Sequence, residues 1–363
     1  MITPPPRSRK RKVDMNLKIQ NLKDILTAII ILSIILSIDY TYSHAQSGWQ
    51  AETRLTNDPD SCITSPNNGK YIAVDADGTV HIVWADKRDR NLEIYHKMRV
   101  NGVWSEDERI TFASNDSKRP ILTVDALNRV HLIWNDKRDG NKEIYHRIWS
   151  GGSWNSETRV TNTDGDSFAP SAVSDGLYIH LVYMEYINGH YQIMYRQFGG
   201  LGWSAPSQLT NISTGDRMVP SIDAGKNGTL HVVWWDTRED PPGNTNGKIY
   251  YIEWDGTQWF NEELISDPDY NAMRPSIAVD DSGFVHVAWI NTVGAYEQIH
   301  YRMKNRTGWQ SIEYLTNDNS VHYHPSLDVV GNEVCLVYWD NHIDGINSEV
   351  FFKRKSTFWS GPT

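Results

Sequence analysis

The 363-residue sequence contains only two cysteines, Cys62 and Cys335. A small disulfide-stabilised fold is therefore excluded, because such folds depend on several bridges in a short chain. An oxidising compartment would permit these two thiols to pair. However, the repeat described below places them near opposite faces of the fold, beyond the short reach of a disulfide. We therefore expect two separate thiols.

The body of the chain lacks a basic cluster, and its 45 acidic residues outnumber 35 basic ones to give a net charge of -10. Nucleic-acid binding usually requires a strongly positive surface, so nucleic acid is not expected as a partner. Long apolar runs are also missing. The one candidate, Ile25 to Ile38, falls short of the roughly 20 residues that a membrane-spanning helix needs.

That apolar run follows a basic N-terminal flank and precedes the small residues around Ser43 and Ala45. This order of features is typical of a secretory signal peptide. We predict a signal peptide over residues 1–45, with cleavage after Ala45, and a mature domain over residues 46–363. The mature chain would be secreted, periplasmic or held at the cell surface, and a permanent membrane anchor is the less favoured alternative.

Helical periodicity is absent, and a repeat of about 50 residues takes its place. Its markers are seven tryptophans: Trp49, Trp104, Trp154, Trp203, Trp259, Trp309 and Trp359. They delimit units of about 49–104, 104–154, 154–203, 203–259, 259–309 and 309–359. A repeat of this length with strand-like content is typical of β-propeller blades, whereas helical solenoids require a 3.6-residue pattern.

Each unit contains four short β-type runs, which we call strands a to d. In the first unit they are Tyr71–Asp75, Val80–Trp84, Glu93–Lys97 and Trp104–Thr111. Asp- and Gly-rich turns between the runs predict an antiparallel meander. A single such sheet leaves its edges and both faces exposed to solvent. Six sheets that pack face to face in a closed ring cover the faces and leave only short, protected edges.

The sequence therefore predicts an all-β, six-bladed β-propeller of four-stranded antiparallel blades, expected to be a monomer. The chain begins its repeats with a lone strand d, Trp49 to Thr56. We expect this strand to complete the sixth blade and close the ring.

A Gly turn followed by Trp recurs between strands c and d. It appears as Asn101–Ser105, Gly151–Asn155, Gly202–Ser204, Asp255–Trp259 and Thr307–Trp309. This pattern resembles the Asp-box, or BNR, repeats of the sialidase superfamily. The Ser and most of the Asp residues that define the box are missing here, so the boxes are degenerate. The resemblance implies a sialidase-like propeller whose ligand site lies on the face formed by the b-to-c and d-to-a loops.

On that face, the b-to-c loops repeat an Asp and an Arg two residues apart. The pairs are Asp86 with Arg88, Asp136 with Arg138, and Asp236 with Arg238, and the sixth blade supplies Asp340. These residues could line a polar ligand funnel, or they could form a belt of ion pairs that locks blade to blade. The recurrence favours the structural role, because a ligand is seldom as symmetric as the ring.

A histidine also recurs once per blade in strand b, as His81, His131, His180, His231 and His286. A metal site needs ligands that converge, and one residue per blade spreads them around the ring. We expect core residues with one hydrogen bond each.

Departures from the repeat are the better candidates for function, since the scaffold does not require them. Trp235 and Trp339 replace smaller residues at one position on the ligand face. The d-to-a loops add charged and aromatic residues, namely Arg119, Arg217, Tyr270, Arg274, His322, Tyr323 and His324. Exposed aromatic rings beside charged groups suit a sugar ligand.

The resemblance implies that a working sialidase would carry three Arg around the substrate carboxylate, a Tyr nucleophile paired with a Glu, and an Asp acid. The first of these Arg would precede a Pro where strand a of the first blade starts, but that segment is Cys62–Pro66. Arg119 and Arg274 do precede prolines, in the second and fifth blades. The sequence places no Tyr/Glu pair.

The expected function is a secreted binding module for glycan or for a protein partner at the cell surface. Its alternatives are a diverged sialidase-type glycoside hydrolase and a purely structural repeat module. No cofactor is required. The oxygen-rich loops Asn162–Ser167 and Asn317–Ser320 leave calcium open, although such loops are more often turns capped by side chains.

Overall fold

A computed structural model describes residues 54–57, 62–63, 70–239, 246–331, 333–340 and 349–355. The chain divides into two units, Met1–Asn57 and Asp58–Thr363. Residues 54–57 of the first unit have no regular secondary structure, and the fold below is that of the second. The predicted signal peptide and most of the strand predicted to close the ring lie outside the described residues. Within them, no helix is long and apolar enough to cross a membrane.

The second unit is the predicted six-bladed β-propeller, made of six antiparallel sheets that follow each other along the chain. Strands a of successive blades contact each other and therefore line the ring axis. They are β2 (Ile72–Val74), β7 (Ser117–Val124), β12 (Ser167–Ser174), β17 (Arg217–Ala224), β21 (Asn271–Val279) and β26 (His322–Val330). In the first blade, the short β1 (Cys62–Ile63) precedes β2 and pairs with the same strand b.

Strands b and c form the long central hairpin of each blade. Strands b are β3 (Val80–Asp89), β8 (Val130–Asp139), β13 (Ile179–Ile187), β18 (Leu230–Asp236), β22 (Val285–Val293) and β27 (Glu333–Asp340). Strands c are β4 (Asn91–Val100), β9 (Asn141–Ser150), β14 (His190–Gly199), β19 (Lys248–Trp254), β23 (Tyr296–Asn305) and β28 (Glu349–Lys355).

The outer strand d is broken into short pieces where it was predicted to be continuous. The pieces are β5 (Val103–Trp104), β6 (Glu108–Arg109), β10 (Ser153–Trp154), β11 (Thr158–Arg159), β15 (Gly202–Trp203), β16 (Ser207–Gln208), β20 (Glu263–Leu264), β24 (Gly308–Trp309) and β25 (Glu313–Tyr314). In the sixth blade the described residues provide strands a, b and c.

Apolar contacts hold neighbouring blades face to face. Five clusters of buried side chains each span two successive blades, from the first pair to the fifth. In the first pair, Trp134 of blade two packs against Val83 and Ile94 of blade one. Full burial of one such large apolar side chain contributes roughly 1.5–3 kcal/mol. Each blade therefore depends on its neighbour for stability, as expected for a repeat architecture.

The strand b histidines are buried, as expected, but most make two polar contacts where one was predicted. His131 Nδ1 lies 3.0 Å from His146 Nε2 of strand c, and His131 Nε2 lies 3.1 Å from Asp125 Oδ2 of the a-to-b turn. In the third to fifth blades a tyrosine replaces the strand c histidine. These contacts give the buried histidine rings of blades one to five their polar partners, at the end of the blade opposite the b-to-c loops.

A basic residue of strand c also ties each of several blades to the preceding one. Arg147 Nη1 donates to the Ile110 carbonyl, and Arg302 Nη1 donates to the Ile265 carbonyl, both at 2.9 Å. Arg196 and Lys353 make equivalent contacts with Val160 and Leu315. The acceptors are carbonyls at the ends of the preceding strands d, so each contact joins two neighbouring blades.

Replacing Arg147 with Met is therefore expected to lower the free energy of unfolding by about 1–3 kcal/mol, because a charged donor is lost from a partly buried carbonyl. Chemical denaturation of the purified chain measures this change. Arg99→Met is the matched control, since its guanidinium bonds within its own hairpin to the Gly102 carbonyl. Equal effects of the two substitutions would contradict the role of Arg147 between blades.

Candidate functional site

A β-bulge at the start of strand a is shared by blades two to six. The strand register shifts there in all five blades. In each, the residue before a proline has a positive φ: Arg119, Ala169, Val219, Arg274 and His324. A bulge bends the strand and redirects its side chains. Because strands a line the ring axis, the bulges place these five residues at equivalent positions around it, at the loop end.

Two of the five are arginines in blades that are not neighbours, Arg119 in the second and Arg274 in the fifth. Burial, and after it the charge of Arg274, lower the pKa of Arg119. The positive charge of Arg274 therefore acts on Arg119 across the axis. Among the described residues no carboxylate forms an ion pair with either one, although most other arginines there have such a partner. This pair is an unneutralised positive site at the axis.

His324, from the bulge of the sixth blade, extends this positive site. Arg274 Nη1 lies 2.9 Å from His324 Nε2. Because arginine can only donate, that ring nitrogen accepts, and His324 is neutral in this arrangement. Trp339 stacks on the His324 ring, with centroids 5.5 Å apart and planes 29° apart. The Trp339 side chain is half-buried and forms a wall of the site.

Tyr323 and Glu297 lie beside these residues. The Glu297 carboxylate, followed by burial, raises the pKa of Tyr323 to about 12. The contact is not a well-aligned hydrogen bond, because Glu297 Oε2 is buried without such a donor among the described residues. The Tyr323 ring also packs on Trp339, with centroids 4.5 Å apart. The structure therefore supplies a Tyr/Glu pair that sequence reasoning did not place.

This group, which we call the axial site, consists of Arg119, Arg274, Tyr323, His324, Trp339 and Glu297. Two arginines can bind a carboxylate or sulfate through charge-assisted hydrogen bonds. A phenol next to a carboxylate can pass its proton to that carboxylate and attack an electrophilic carbon. The arrangement can thus bind an anionic ligand and offer it a nucleophile.

Glu297 was missed because it lies at the start of strand c, outside the loops that were compared. One signal pointed to it: the b-to-c segment of the fifth blade departs from the Asp/Arg motif, with Asn291 and Val293 at those positions. His324 was noted in its loop but not selected as a ligand-binding candidate.

The repeated Asp and Arg residues form ion pairs and hydrogen bonds within their own blade and do not line a polar funnel. Asp86 is fully buried and accepts from Trp84 Nε1 at 3.0 Å and from Arg88 Nη2 at 2.6 Å. Arg88 also donates to Asp107 of strand d and stacks 4.3 Å over the Tyr95 ring. Equivalent sets occur around Asp136 with Arg138 and around Asp236 with Arg238.

These ion pairs join strands of one blade, so the predicted belt between blades is wrong in that respect. The aspartates are buried and do not line a ligand surface. Asp340 of the sixth blade is buried too, with Oδ2 2.9 Å from His322 Nδ1. Arg217 is also fully buried, near Asp236.

Trp235 differs from Trp339 although both were singled out. Its indole packs against the apolar cluster between blades four and five. The Gly247 backbone lies against the edge of the ring, where a Cβ would come within 1.8 Å of Trp235 Nε1. The glycine is therefore required for this packing, and the contacts described for Trp235 are those of a structural residue.

In the two loops considered for calcium, the carboxylates accept hydrogen bonds from backbone amides. Asp166 Oδ1 accepts from the Lys142 backbone amide at 2.9 Å, and Asp318 Oδ1 accepts from the Ser320 amide at 2.9 Å. In the part of the chain that the structure describes, no cluster of three or more metal-ligating side chains occurs. Cys335 is a free thiol, and nothing is described of the Cys62 side chain.

No protein-family model and no curated protein matches this sequence. Solved structures do resemble its fold. A PL25 ulvan lyase bound to -[GlcA(1-4)Rha3S]- has a TM-score of 0.57 and 12% identity, over 82% of this chain and 91% of the lyase. An α-L-arabinofuranosidase from Fusarium graminearum, with an iminosugar inhibitor, has a TM-score of 0.56 and 12% identity, over 82% and 97%.

The leech intramolecular trans-sialidase, in complex with 2,7-anhydro-Neu5Ac, has a TM-score of 0.54 and 9% identity, over 86% of this chain and 71% of that enzyme. At these identities the likeness concerns the fold alone. The chain is a β-propeller of the sialidase-like kind, a fold it shares with enzymes that process glycans.

Proposed function

We propose that this propeller is a glycan-active enzyme, a diverged glycoside hydrolase of the sialidase type, which acts on a substrate with an acidic sugar. The observation that carries this proposal is the axial site, where Arg119 and Arg274 lie at equivalent bulges around the axis and neither forms an ion pair with a described carboxylate. The enzymatic alternative thus replaces the binding module as the favoured hypothesis.

The anion preference follows from charge. Two arginines near each other repel, and an anionic ligand between them removes that repulsion while accepting hydrogen bonds from both. His324 accepts from Arg274 and so holds its guanidinium in place. A neutral sugar would leave both guanidinium groups without an ion-pair partner, so we expect selection for a carboxylate or sulfate group.

The catalytic part of the proposal rests on Tyr323 and Glu297. With its pKa raised to about 12, the phenol is neutral near pH 7 and needs a base to act as a nucleophile. Glu297 is the adjacent carboxylate that can take the proton. As Glu297 takes the phenol proton, attack of the Tyr323 oxygen on the anomeric carbon would break the glycosidic bond and give a glycosyl-enzyme, and the released oxygen would take a proton from solvent. Water would then attack the anomeric carbon, its proton would restore the Tyr323 phenol, and Glu297 would lose its proton to solvent.

The test is a hydrolysis assay of the purified chain on glycosides of sialic, glucuronic and galacturonic acid, with arabinofuranoside as the neutral member. We expect turnover of at least one acidic member. Arg274→Ala should lower kcat/KM on that substrate by about tenfold or more, because a charge-assisted contact is lost. Arg306→Ala is the control, as this exposed residue lies in a c-to-d turn at the opposite face.

Turnover of the neutral glycoside alone, or equal effects of the two Arg substitutions, would contradict the assignment.

A second candidate function is a glycan-binding module that uses the same site. The stacked pair of Trp339 and His324 favours it, because a half-exposed aromatic wall can pack on a sugar ring whether or not a bond is cleaved. Binding of an acidic glycan without any turnover would select this candidate.

The N-terminal segment supports an extracytoplasmic location for either function. N-terminal sequencing of the exported protein tests this, and a mature chain beginning at Gln46 is the expected result.

A further inference from the structure

A line of aromatic side chains leads away from the axial site over the third blade. Arg119 Cζ lies 5.3 Å from the centre of the Phe168 ring. Phe168 contacts Tyr191 edge-on, with centroids 5.3 Å apart, and Tyr191 contacts Tyr186 at 5.1 Å. We call Phe168, Tyr191 and Tyr186 the blade-three track. Its three residues belong to strand a and to the b-to-c hairpin, so all of them lie at the loop end of the blade.

Phe168 and Tyr191 pack against the apolar cluster between blades three and four, but the propeller fold does not require aromatic residues at these positions. The strand pairings of the fifth blade place Met273, Thr292 and Glu297 at the equivalent positions. Tyr186, the outermost member, is 45% exposed. A large aromatic side chain left half in water gains little for folding, so its presence at a break in the repeat points to a ligand.

Charges of both signs border the track. Lys142 Nζ lies 4.4 Å from the centre of the Phe168 ring, on a side chain that also pairs with Asp166 at 2.6 Å. Asp216 Oδ1 accepts from the Tyr191 backbone amide at 2.9 Å, so Arg119 is the cation near the track that has no carboxylate partner among the described residues. The whole chain has a net charge of -10, so non-specific attraction of polyanions is weak and an acidic chain would need such local charges.

We propose that the blade-three track is a second sugar-binding subsite, which holds the next units of an acidic oligosaccharide whose charged sugar occupies the axial site. The inference rests on the proposed function for the location of the first sugar. The exposed Tyr186 ring supplies a face for a sugar, and Arg119 contacts the inner end of the track as well as belonging to the axial site. The ligand is therefore an acidic glycan chain of several units, not a single acidic sugar.

The experiment is calorimetric titration with acidic disaccharides and hexasaccharides built from glucuronate, galacturonate or sialic acid. The Tyr323→Phe background prevents cleavage during the titration. We expect tighter binding of the hexasaccharide than of the matching disaccharide. Tyr186→Ala should weaken hexasaccharide binding by about tenfold, equal to ~1.4 kcal/mol, and leave disaccharide binding unchanged. Tyr186→Phe, which keeps the ring, should restore the affinity.

Tyr178→Ala is the matched control, because Tyr178 is a partly exposed tyrosine of the same blade in the a-to-b turn at the opposite end. Equal affinity for both lengths, or an unchanged hexasaccharide affinity in Tyr186→Ala, would overturn the track. Failure of every acidic oligosaccharide to bind would also overturn the subsite. A protein partner would then be the remaining ligand for these aromatic residues. The proposed enzymatic function is judged separately, by turnover in the wild-type chain.

Discussion

Tyr323→Phe is expected to lower kcat on the acidic glycoside by about 10²–10⁴-fold, while KM changes far less. The phenyl ring keeps its packing on Trp339, so only the hydroxyl is lost. Under the proposed mechanism that hydroxyl forms the bond to the anomeric carbon. Steady-state kinetics with the substrate identified in the glycoside assay measures both constants.

Glu297→Gln provides a second readout for the same mechanism. It removes the proposed base, so kcat should fall while KM changes far less. Tyr178→Phe, at the opposite face of the ring, is the control and should behave like the wild type. Wild-type kcat in Tyr323→Phe would exclude the phenol as nucleophile and would favour the binding module.

His300→Phe is expected to make the fold more resistant to acid. His300 is 2% exposed, and neither ring nitrogen has a hydrogen-bond partner among the described residues. Burial lowers its pKa from 6.5 to about 4. The strand pairings place Tyr95, Tyr145 and Tyr250 at this position in other blades, so an aromatic ring without a titratable nitrogen is accommodated there.

The direction follows from proton binding. As the pH falls below 6.5, the unfolded chain protonates this histidine, whereas the folded chain resists until about pH 4. Stability is therefore lost between these values, and at pH 5 the loss from His300 is about 2 kcal/mol. His300→Phe should recover about this amount at pH 5 relative to pH 8.

Urea denaturation of both proteins at pH 5 and pH 8 measures the difference. The control is His190→Phe, because His190 is a partly exposed histidine that faces Asp216 at 4.0 Å. If the two substitutions gave the same pH dependence, the buried position of His300 would not be the source of the effect. The strand b histidines, such as His231 with a pKa of about 4, are not changed by this substitution, so part of the acid sensitivity should remain.

The repeated motifs show how far sequence reasoning reached. The Trp, Asp and Arg around Asp86 recur at fixed spacing, and the recurrence correctly suggested a structural role. Their partners could not be foreseen, since Asp107 lies 19 residues beyond Arg88 on strand d. The identical Trp substitutions at positions 235 and 339 looked equivalent, but Gly247 covers one ring edge and His324 stacks on the other indole.

The sequence alone determined the architecture of this protein. The sequence has a period of about 50 residues, four β-type runs per unit and Asp/Gly turns. Few arrangements of such sheets cover every sheet edge and face, and a closed ring of six blades is one of them. It also indicated Arg119, Arg274 and Tyr323 as residues that the repeat did not require.

Only the tertiary structure decided which of these residues meet. Arg119 and Arg274 are separated by three blades along the chain, and Glu297 and Tyr323 belong to different sheets. Ring closure brings distant strands a to one axis, and the bulges of blades two to six place Arg119, Arg274 and His324 at equivalent positions there. Local patterns carry no information about such convergence, because it depends on the curvature accumulated over all the blades.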